Sequence, residues 1–230
     1  MDQALIPKHI GFILDGNRRW ATENGLPKLV GHKKGYENLK TIADKCFERG
    51  IEVVSAYIFS TENWNRELEE VNYLMDLALK IFTKDLNELI EKGIRVVFSG
   101  RRERLDQKIL DAIDNTVEKT KQNKKGTINI CFNYGGQFEI ADAFKKIMHS
   151  EMDASKITPE IIRENLYHPE LPAVDYIVRT SGEKRLSNFL LWDSAYAELE
   201  FVDTHWPAFS ESDLDDVLGE FSNRMRRFGK

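Results

Sequence analysis

The chain contains 230 residues, of which 41% are hydrophobic and 31% charged, and its formal net charge is −5. This length is enough for one domain with a full core, and the negative charge argues against a nucleic-acid partner. Cys46 and Cys131 lie apart in apolar segments, so we expect both thiols to be reduced and buried in a cytoplasmic protein. No apolar run approaches the roughly 18–20 residues of a membrane span, and the absence of His-x-x-x-His spacing argues against a zinc site.

The most informative segment is a junction near the amino terminus. Residues 10–14 form an apolar run that predicts a strand, and Asp15-Gly-Asn17 follows as a turn before a segment that can be helical. Ligands bind at the carboxyl ends of strands in open parallel sheets, and the free amides of a helix amino terminus attract anions. Asp15 repels an anion unless a divalent cation bridges the two, so the junction suits a metal-bound phosphate or diphosphate. The alternative is a turn selected for its backbone angles alone.

Strand and helix patterns alternate along the rest of the chain. Further strands are predicted over residues 51–59, 94–98, 127–133, 174–178 and 198–202. Helices are predicted over residues 33–49, 69–92, 102–121, 138–148, 159–166 and 210–227, and Thr158 is expected to cap the helix that begins at Pro159. Helices between strands indicate βαβ crossovers. We therefore expect an α/β fold, with a single domain over residues 1–230 and a mainly parallel β-sheet surrounded by helices.

Two further polar clusters follow predicted strands. Phe59-Ser-Thr-Glu-Asn-Trp-Asn-Arg66 combines a hydroxyl, an amide, a tryptophan and an arginine, which is typical of a lid, although a surface loop anchored by its tryptophan is the alternative. In Val178-Arg-Thr-Ser-Gly-Glu-Lys-Arg-Leu-Ser-Asn188, the side chains of Arg179, Arg185 and Ser187 can bind phosphate oxygens. Because the carboxyl ends of parallel strands meet at one edge of a sheet, a single shared site is favoured over three unrelated loops.

Three common phosphate motifs are absent from the sequence. It contains neither Gly-x-x-x-x-Gly-Lys-Ser/Thr nor Gly-x-Gly-x-x-Gly, and no Asp-Asp-x-x-Asp of the all-helical prenyl synthases. Any phosphate site must therefore be built in another way.

The clusters together resemble the cis-prenyltransferases, the family of undecaprenyl diphosphate and dehydrodolichyl diphosphate synthases. The resemblance rests on Asp15-Gly-Asn-Arg-Arg-Trp-Ala21, Gly31-His32, residues 59–66, Asn133-Tyr-Gly-Gly136 and residues 179–192. It continues through Ala195-Tyr-Ala-Glu-Leu199, Trp206-Pro207 and the terminal Arg226-Arg-Phe-Gly229, in order along nearly the whole chain.

This resemblance implies a fold, a reaction and a set of partners. The family condenses isopentenyl diphosphate with an allylic diphosphate primer and makes each new double bond cis. It needs Mg²⁺, works as a homodimer and holds the growing chain in an apolar tunnel between the sheet and two helices. We therefore expect a prenyl transferase that uses farnesyl diphosphate as its primer and makes an undecaprenyl-type product. We expect it to be cytoplasmic, and a peripheral membrane contact during product release is compatible with this location. A product of another length and a non-catalytic partner subunit remain as alternatives.

The resemblance also assigns roles to individual residues. Asp15 would act on the magnesium and the allylic diphosphate, and Asn63 would take part in proton removal. Glu198 would contribute to the magnesium, either within its own chain or from the partner subunit. The substrate-binding residues it implies are Gly16, Asn17, Arg18, Arg19, Trp20, Lys28, His32, Ser60, Thr61, Glu62, Trp64, Arg66, Arg179, Arg185, Leu186 and Ser187. The terminal segment, residues 227–229, would reach across the dimer.

Several positions depart from the family pattern. Arg18, Lys28, Glu67, Gln137 and Asp193 stand where the family often has another residue, as does Ser99-Gly-Arg101. None of these departures removes the implied catalytic set, but they leave the primer and the subgroup open. The tunnel's volume would depend on packing around Leu74, Ala78, Phe82, Phe98 and Ile130, and the apolar face of the helix predicted over residues 69–92, roughly 35 Å long, is either tunnel wall or ordinary core.

Overall fold

A computed structural model of the chain describes residues 5–150 and 152–224. The terminal segment 227–229 lies outside the described residues. The predicted end of the helix over residues 210–227 is wrong, because the helix ends at Asn223 and the backbone of Arg224 is extended. Among the described residues, no helix combines the length and the apolar character needed to cross a bilayer.

Six parallel strands form the sheet, as the alternating pattern predicts. They are β1 (His9–Ile13), β2 (Val53–Ser60), β3 (Ile94–Ser99), β4 (Gly126–Tyr134), β5 (Tyr176–Arg179) and β6 (Glu198–Phe201), in the spatial order β3-β4-β2-β1-β5-β6. The order reverses at β1, which lies between β2 and β5. Such a reversal opens a crevice at the carboxyl ends of the strands, where ligands bind in open parallel sheets.

Helices cover both faces of this sheet. They are α1 (Asn17–Glu23), α2 (Lys28–Glu48), α3 (Leu68–Ile81), α4 (Leu86–Glu91), α5 (Gln107–Thr120), α6 (Gly136–His149), α7 (Pro159–Glu164) and α8 (Glu211–Asn223), with short 3₁₀ segments at Thr61–Asn65, Ala154–Lys156 and Trp206–Ala208. The oxygen of Thr158 accepts a hydrogen bond from the backbone of Ile161, which confirms the predicted cap of α7.

Side-chain alternation along the strands divides the core in two. Ile10 and Phe12 belong to the larger cluster, which includes apolar side chains of α2, α3, α5 and α8, whereas Ile13 belongs to a second cluster with Tyr57 and Phe189. Both faces of β1 are therefore buried, which explains its continuous apolar sequence.

The prediction of a single helix over residues 69–92 is wrong, because the helix is interrupted between α3, which ends at Ile81, and α4, which begins at Leu86. The amide of Asp85 donates to the carbonyl of Lys80, five residues earlier, at 3.4 Å, so the regular four-residue ladder is interrupted. The Asp85 carboxylate is held by the Tyr36 hydroxyl and by the Lys40 ammonium, 3.0 Å away, both on α2. A tertiary contact with α2 thus accompanies the break, and no local sequence signal reveals it.

Candidate active site

Three loops after neighbouring strands enclose a cavity of about 920 Å³ at the carboxyl edge of the sheet. They follow β1, β2 and β5. Ile13 and Arg179 are register partners at the ends of β1 and β5, whereas β2 continues three residues beyond Tyr57, the partner of Ile13, to Ser60. The lining residues are Ile13, Leu14, Asp15, Gly16, Asn17, Arg18, Arg19, Thr22, Glu23, Lys28, His32, Tyr57, Ile58, Ser60, Glu62, Asn63, Arg66, Arg179, Arg185, Ser187 and Asn188. The structure therefore brings the three predicted clusters into one site.

The first loop is a tight turn that presents the Asp15 carboxylate. Gly16 has a φ of 99°, and a Cβ atom there would lie 2.6 Å from the Ser181 hydroxyl and 2.7 Å from the His205 ring. Only glycine fits both the left-handed backbone and the close approach. The Gly16 amide donates to the Asp15 carboxylate at 2.7 Å, and α1 begins at the next residue. The predicted strand–turn–helix junction is thus confirmed.

Asp15 is joined to the third loop through Arg179. Nη2 of Arg179 donates to Oδ2 of Asp15 at 2.8 Å, and Nη1 donates to the Ser187 hydroxyl at 2.7 Å. Burial opposes ionisation of Asp15, but the hydrogen bond and charge of Arg179, together with the charge of Arg19, outweigh it and lower the pKa of the carboxyl. Asp15 is therefore a carboxylate at neutral pH, and Arg179, only 4% exposed, is fixed between the two loops.

The second loop carries polar groups into the same cavity. Ser60 caps the 3₁₀ segment Thr61–Asn65, and its amide donates to the Asn63 side-chain oxygen at 3.1 Å. Glu62 accepts a hydrogen bond from Asn188 of the third loop at 3.1 Å. Trp64 is half-buried against the core and lies behind this polar face.

A buried carboxylate supports the cationic wall of the site. Glu70, at the start of α3, lies 3.0 Å from Nε2 of His32 and 2.9 Å from a guanidinium nitrogen of Arg66, with Arg18 at 3.5 Å. Burial lowers the pKa of His32 despite its contact with Glu70, so the ring is neutral at pH 7. Glu70 holds three pocket residues from three different elements.

The cavity has a charge opposite to that of the whole chain. Its lining contains six cationic side chains, namely Arg18, Arg19, Lys28, Arg66, Arg179 and Arg185, against three acidic ones, Asp15, Glu23 and Glu62. A concave surface with excess positive charge attracts anions and holds them by charge-assisted hydrogen bonds. The geometry suits two anionic groups, one near Asp15 and Arg19 and one near Arg185 and Ser187.

A family model described as putative undecaprenyl diphosphate synthase matches residues 13–229. The chain belongs to this family of prenyltransferases. It is 41% identical over 229 residues to the ditrans,polycis-undecaprenyl-diphosphate synthase, (2E,6E)-farnesyl-diphosphate specific, of Legionella pneumophila (strain Paris), covering 98% of the chain and 96% of the relative. It is 40% identical over 233 residues to the trans,polycis-polyprenyl diphosphate synthase, (2Z,6E)-farnesyl diphosphate specific, of Thermobifida fusca (strain YX), covering 100% and 83% respectively.

A solved structure shares the whole fold. Lavandulyl diphosphate synthase from Lavandula x intermedia, in complex with dimethylallyl diphosphate, superposes with a TM-score of 0.93 at 30% identity, covering 98% of this chain and 99% of the other. The predicted family, the parallel α/β fold and the prenyltransferase class are thereby confirmed.

Within this prenyltransferase, five of the predicted site residues lie outside the cavity lining. Trp20 and Thr61 are half-buried, Trp64 packs against the larger core cluster, and Leu186 packs against the second one. Glu198 opens β6, where its register partner is Tyr176, so it lies at the opposite end of the strands from Asp15. Its carboxylate is 3.4 Å from the Arg224 guanidinium. One chain by itself does not bring Glu198 to Asp15.

Sequence reasoning also missed residues that belong to the site. Tyr57 and Asn188 line the cavity, and Asn188 contacts both the second loop and the start of α6, where its side-chain oxygen accepts from the Gln137 amide at 2.8 Å. Glu70 was missed as well. Its spacing of four residues from Arg66 is a signal for a helical ion pair, but its contacts with Arg18 and His32 depend on the tertiary fold.

The donor chemistry around Asp15 fits a magnesium ion that is shared with a substrate. The described residues contain no group of three or more His, Cys, Asp or Glu side chains able to hold a metal by themselves. The Asp15 carboxylate contacts the Gly16 amide, Arg19 at 3.2 Å and Arg179, which leaves one of its roughly four lone-pair positions free. Mg²⁺ is commonly bound through one or two carboxylates plus substrate phosphates, which matches this arrangement.

Proposed function

We propose that this prenyltransferase condenses isopentenyl diphosphate with an allylic diphosphate, with farnesyl diphosphate as the primer, to make a cis-polyprenyl diphosphate of undecaprenyl type. The observation that carries the proposal is the Asp15–Arg179–Ser187 chain, which joins two loops inside a cavity with six cationic side chains. A non-catalytic partner subunit is disfavoured because Asp15, Asn63, Arg179 and Arg185 are all present and line that cavity.

The allylic diphosphate is assigned to the Asp15 side of the cavity. When the carbon–oxygen bond ionises, negative charge accumulates on the leaving diphosphate. The guanidiniums of Arg18 and Arg19 and the Lys28 ammonium lie where they can stabilise that charge, which lowers the barrier. The Asp15 carboxylate would hold Mg²⁺ together with the substrate diphosphate, and the ion would supply further positive charge to the leaving group.

Isopentenyl diphosphate is assigned to the third loop. Arg185 is exposed to the cavity, and the Ser187 hydroxyl is already oriented by Arg179. A bidentate guanidinium and a hydroxyl are suited to phosphate oxygens. Asn63 lines the same cavity from the second loop, so it is the proposed participant in removal of the proton that completes the new double bond.

The hydrocarbon product is assigned to the space between α2, α4 and the sheet. A cavity of about 50 Å³ lies there, lined mainly by apolar side chains of Leu39, Ala43, Phe47, Leu89 and Ile130. Because this cavity is small, a long hydrocarbon chain would fit only if α2 and α4 moved apart and enlarged it. A product shorter than undecaprenyl is the second candidate, which the small volume and the close match with lavandulyl diphosphate synthase favour.

We further propose a homodimeric, cytoplasmic enzyme whose catalytic domain comprises residues 1–230 and which contacts a membrane peripherally when product is released. Exposed apolar side chains support an interface, namely Phe138, Phe144 and Met148 on α6, Leu199 on β6 and Tyr196 just before it. Pairing of two chains gives Glu198 of one protomer a route to the magnesium of its partner.

The test is incorporation of labelled isopentenyl diphosphate into an organic-extractable product. Incorporation should require both farnesyl diphosphate and Mg²⁺ and should stop when EDTA is added. Release of inorganic diphosphate without chain growth would contradict the proposal and indicate a hydrolase.

A further inference from the structure

The polar loop 60–66 is anchored through the Trp64 side chain. The indole Nε1 donates to the Asn133 side-chain oxygen at 2.8 Å, and the ring packs edge-on against Phe59 with 5.2 Å between centroids. The Arg104 guanidinium lies 4.3 Å from the ring centroid on the outer side. Trp64 is thus held from three directions, and two of its three neighbours lie outside the polar loop and outside the strand that precedes it.

Asn133 connects the indole to the segment that carries Arg104. Its side-chain nitrogen donates to the carbonyls of Arg101 at 2.8 Å and Glu103 at 2.9 Å, and its own carbonyl accepts from the Arg101 amide at 3.0 Å. Asn133 is buried, with a φ of 51°. A displacement of Trp64 therefore affects residues 101–104 through Asn133, and a displacement of residues 101–104 affects Trp64 in the same way.

Arg104 differs from the neighbouring arginines in what it contacts. Arg101 pairs with Glu103 at 2.9 Å and Arg102 with Asp114 at 2.5 Å, whereas no ion pair among the described residues involves Arg104. Its φ of 70° is uncommon for a residue with a side chain. The chain adopts this left-handed backbone at a position whose guanidinium covers an aromatic face, where a cation is attracted by the ring.

Space for movement lies on the outer side of the same loop. A pocket of about 240 Å³ is lined by Trp64, Arg66, Leu68, Met75 and Arg104, among others. Ser60, Glu62 and Asn63 line the 920 Å³ cavity on the inner side, and Arg66 borders both spaces. We call the loop docked when Trp64 contacts Asn133 and Arg104, as it does here, and in this state the polar side chains of the loop face the cavity. If Trp64 lost these contacts, the polar side chains would move away from the cavity.

We propose that Arg104 is a positioning residue for the polar loop: its stack on Trp64, together with the hydrogen bond from Trp64 to Asn133, holds the loop in the docked state that completes the diphosphate cavity. The inference rests on the proposed function only for its kinetic consequence. A binding-competent state populated at a fraction f raises the apparent dissociation constant to the intrinsic value divided by f. Loss of the stack should therefore weaken substrate binding and leave turnover at saturation nearly unchanged.

Amide hydrogen exchange of the peptide covering residues 60–66 tests the clamp without any activity. Arg104→Asn is the test variant, because asparagine tolerates a left-handed backbone and removes the cation. Arg104→Lys retains a cation, and Arg102→Asn removes a neighbouring exposed arginine. We expect exchange to be at least about threefold faster in Arg104→Asn, closer to wild type in Arg104→Lys and unchanged in Arg102→Asn, with Tm values alike.

The kinetic arm compares KM with kcat in the same variants. Arg104→Asn should raise the KM for isopentenyl diphosphate about threefold with kcat within roughly twofold of wild type. Unchanged loop exchange in Arg104→Asn, equal acceleration in Arg102→Asn, or a looser loop with an unchanged KM would each overturn the proposal. If the wild-type protein incorporates no isopentenyl diphosphate, the proposed function fails, while the exchange data still decide whether Arg104 holds the loop.

Discussion

Arg179 and Asp15 face each other from adjacent strand ends, with Nη2 of the arginine 2.8 Å from Oδ2 of the aspartate, although 164 positions separate them in the sequence. The register of β1 against β5 brings them together, because Ile13 pairs directly with Arg179. The same guanidinium orients the Ser187 hydroxyl. The carboxylate proposed to hold the metal and the hydroxyl proposed to bind the second diphosphate are thus fixed by one buried cation.

Replacement of Asp15 by alanine should abolish turnover and preserve the fold. The carboxylate is the metal ligand in the proposal, and its loss should reduce kcat on the order of 10³-fold. Arg179 keeps its contact with Ser187, so the site should not collapse. Circular dichroism and steady-state rates check both parts, with Asp15→Asn as the variant that keeps the shape and removes the charge. Near-normal activity in either variant would exclude the metal role.

Replacement of Arg185 by alanine should separate the two diphosphate sites. Because Arg185 is well exposed, the lost charge-assisted hydrogen bond is expected at the lower end of its range, about 1.5 kcal/mol, or roughly tenfold in the KM for isopentenyl diphosphate. The KM for the allylic primer should change much less. Lys184→Ala is the matched control, since this exposed lysine of the same loop does not line the cavity. Equal increases in both KM values would show that the assignment of the two sites is wrong.

Stability should fall in mild acid because of His9. His9 is 1% exposed, with its Nδ1 2.7 Å from the Pro172 carbonyl and its Nε2 2.7 Å from the Ser55 hydroxyl. Burial lowers its pKa from 6.5 to about 4. The unfolded chain therefore binds the proton more readily, so this contribution is present above pH 6.5 and is lost as the pH falls toward 4, by roughly 3 kcal/mol in total.

Urea unfolding between pH 4 and pH 7 measures this contribution. The free energy of unfolding should fall less steeply with acid in His9→Gln than in wild type, because the variant has no titrating ring at this position. Parallel pH profiles for the two proteins would refute the assignment to His9.

Filling the small cavity between α2 and the sheet should shorten the product. Ala43 is buried on α2 and lines the cavity of about 50 Å³, so Ala43→Leu places extra volume where the chain is proposed to grow. The first condensation should continue, since this cavity and the diphosphate cavity have no lining residue in common. Chromatography of the product checks the shift. Ala112→Leu, a buried position on α5 outside the cavity lining, is the packing control. An unchanged product distribution in a folded Ala43→Leu enzyme would place chain growth elsewhere.

Much of the scaffold is predictable because it depends on local patterns. Apolar runs bounded by turn residues locate the strands, and alternation with helices implies a parallel sheet whose polar loops share an edge. The interruption at Asp85 is different, because it coincides with contacts to Tyr36 and Lys40, about 45 residues away. The helix predicted to begin at residue 33 begins at Lys28 in the structure, directly after Pro27. Proline is a signal for the start of a helix, but the prediction is based on apolar periodicity alone.

The site is predictable to a similar degree and for the same reason. Residues within the strand-end motifs, such as Asp15 and Arg185, were identified because their type and position are both visible in the sequence. Glu70 and Asn188 act through partners 38 and 126 positions away, His32 and Glu62, so their roles depend on the packed fold. Glu198 is the converse case. The family motif singles it out, but within one chain it lies at the opposite end of the strands from Asp15.

The geometry of the double bond formed from labelled isopentenyl diphosphate decides between cis-condensation and any other reaction in this cavity. Carbon-13 NMR of the extracted product, made with farnesyl diphosphate and Mg²⁺, should show every newly formed double bond as cis, and the signal should be absent with Asp15→Ala. Trans double bonds, or a cis product that Asp15→Ala forms at the wild-type rate, would contradict the assignment of this reaction to the site around Asp15 and Arg179.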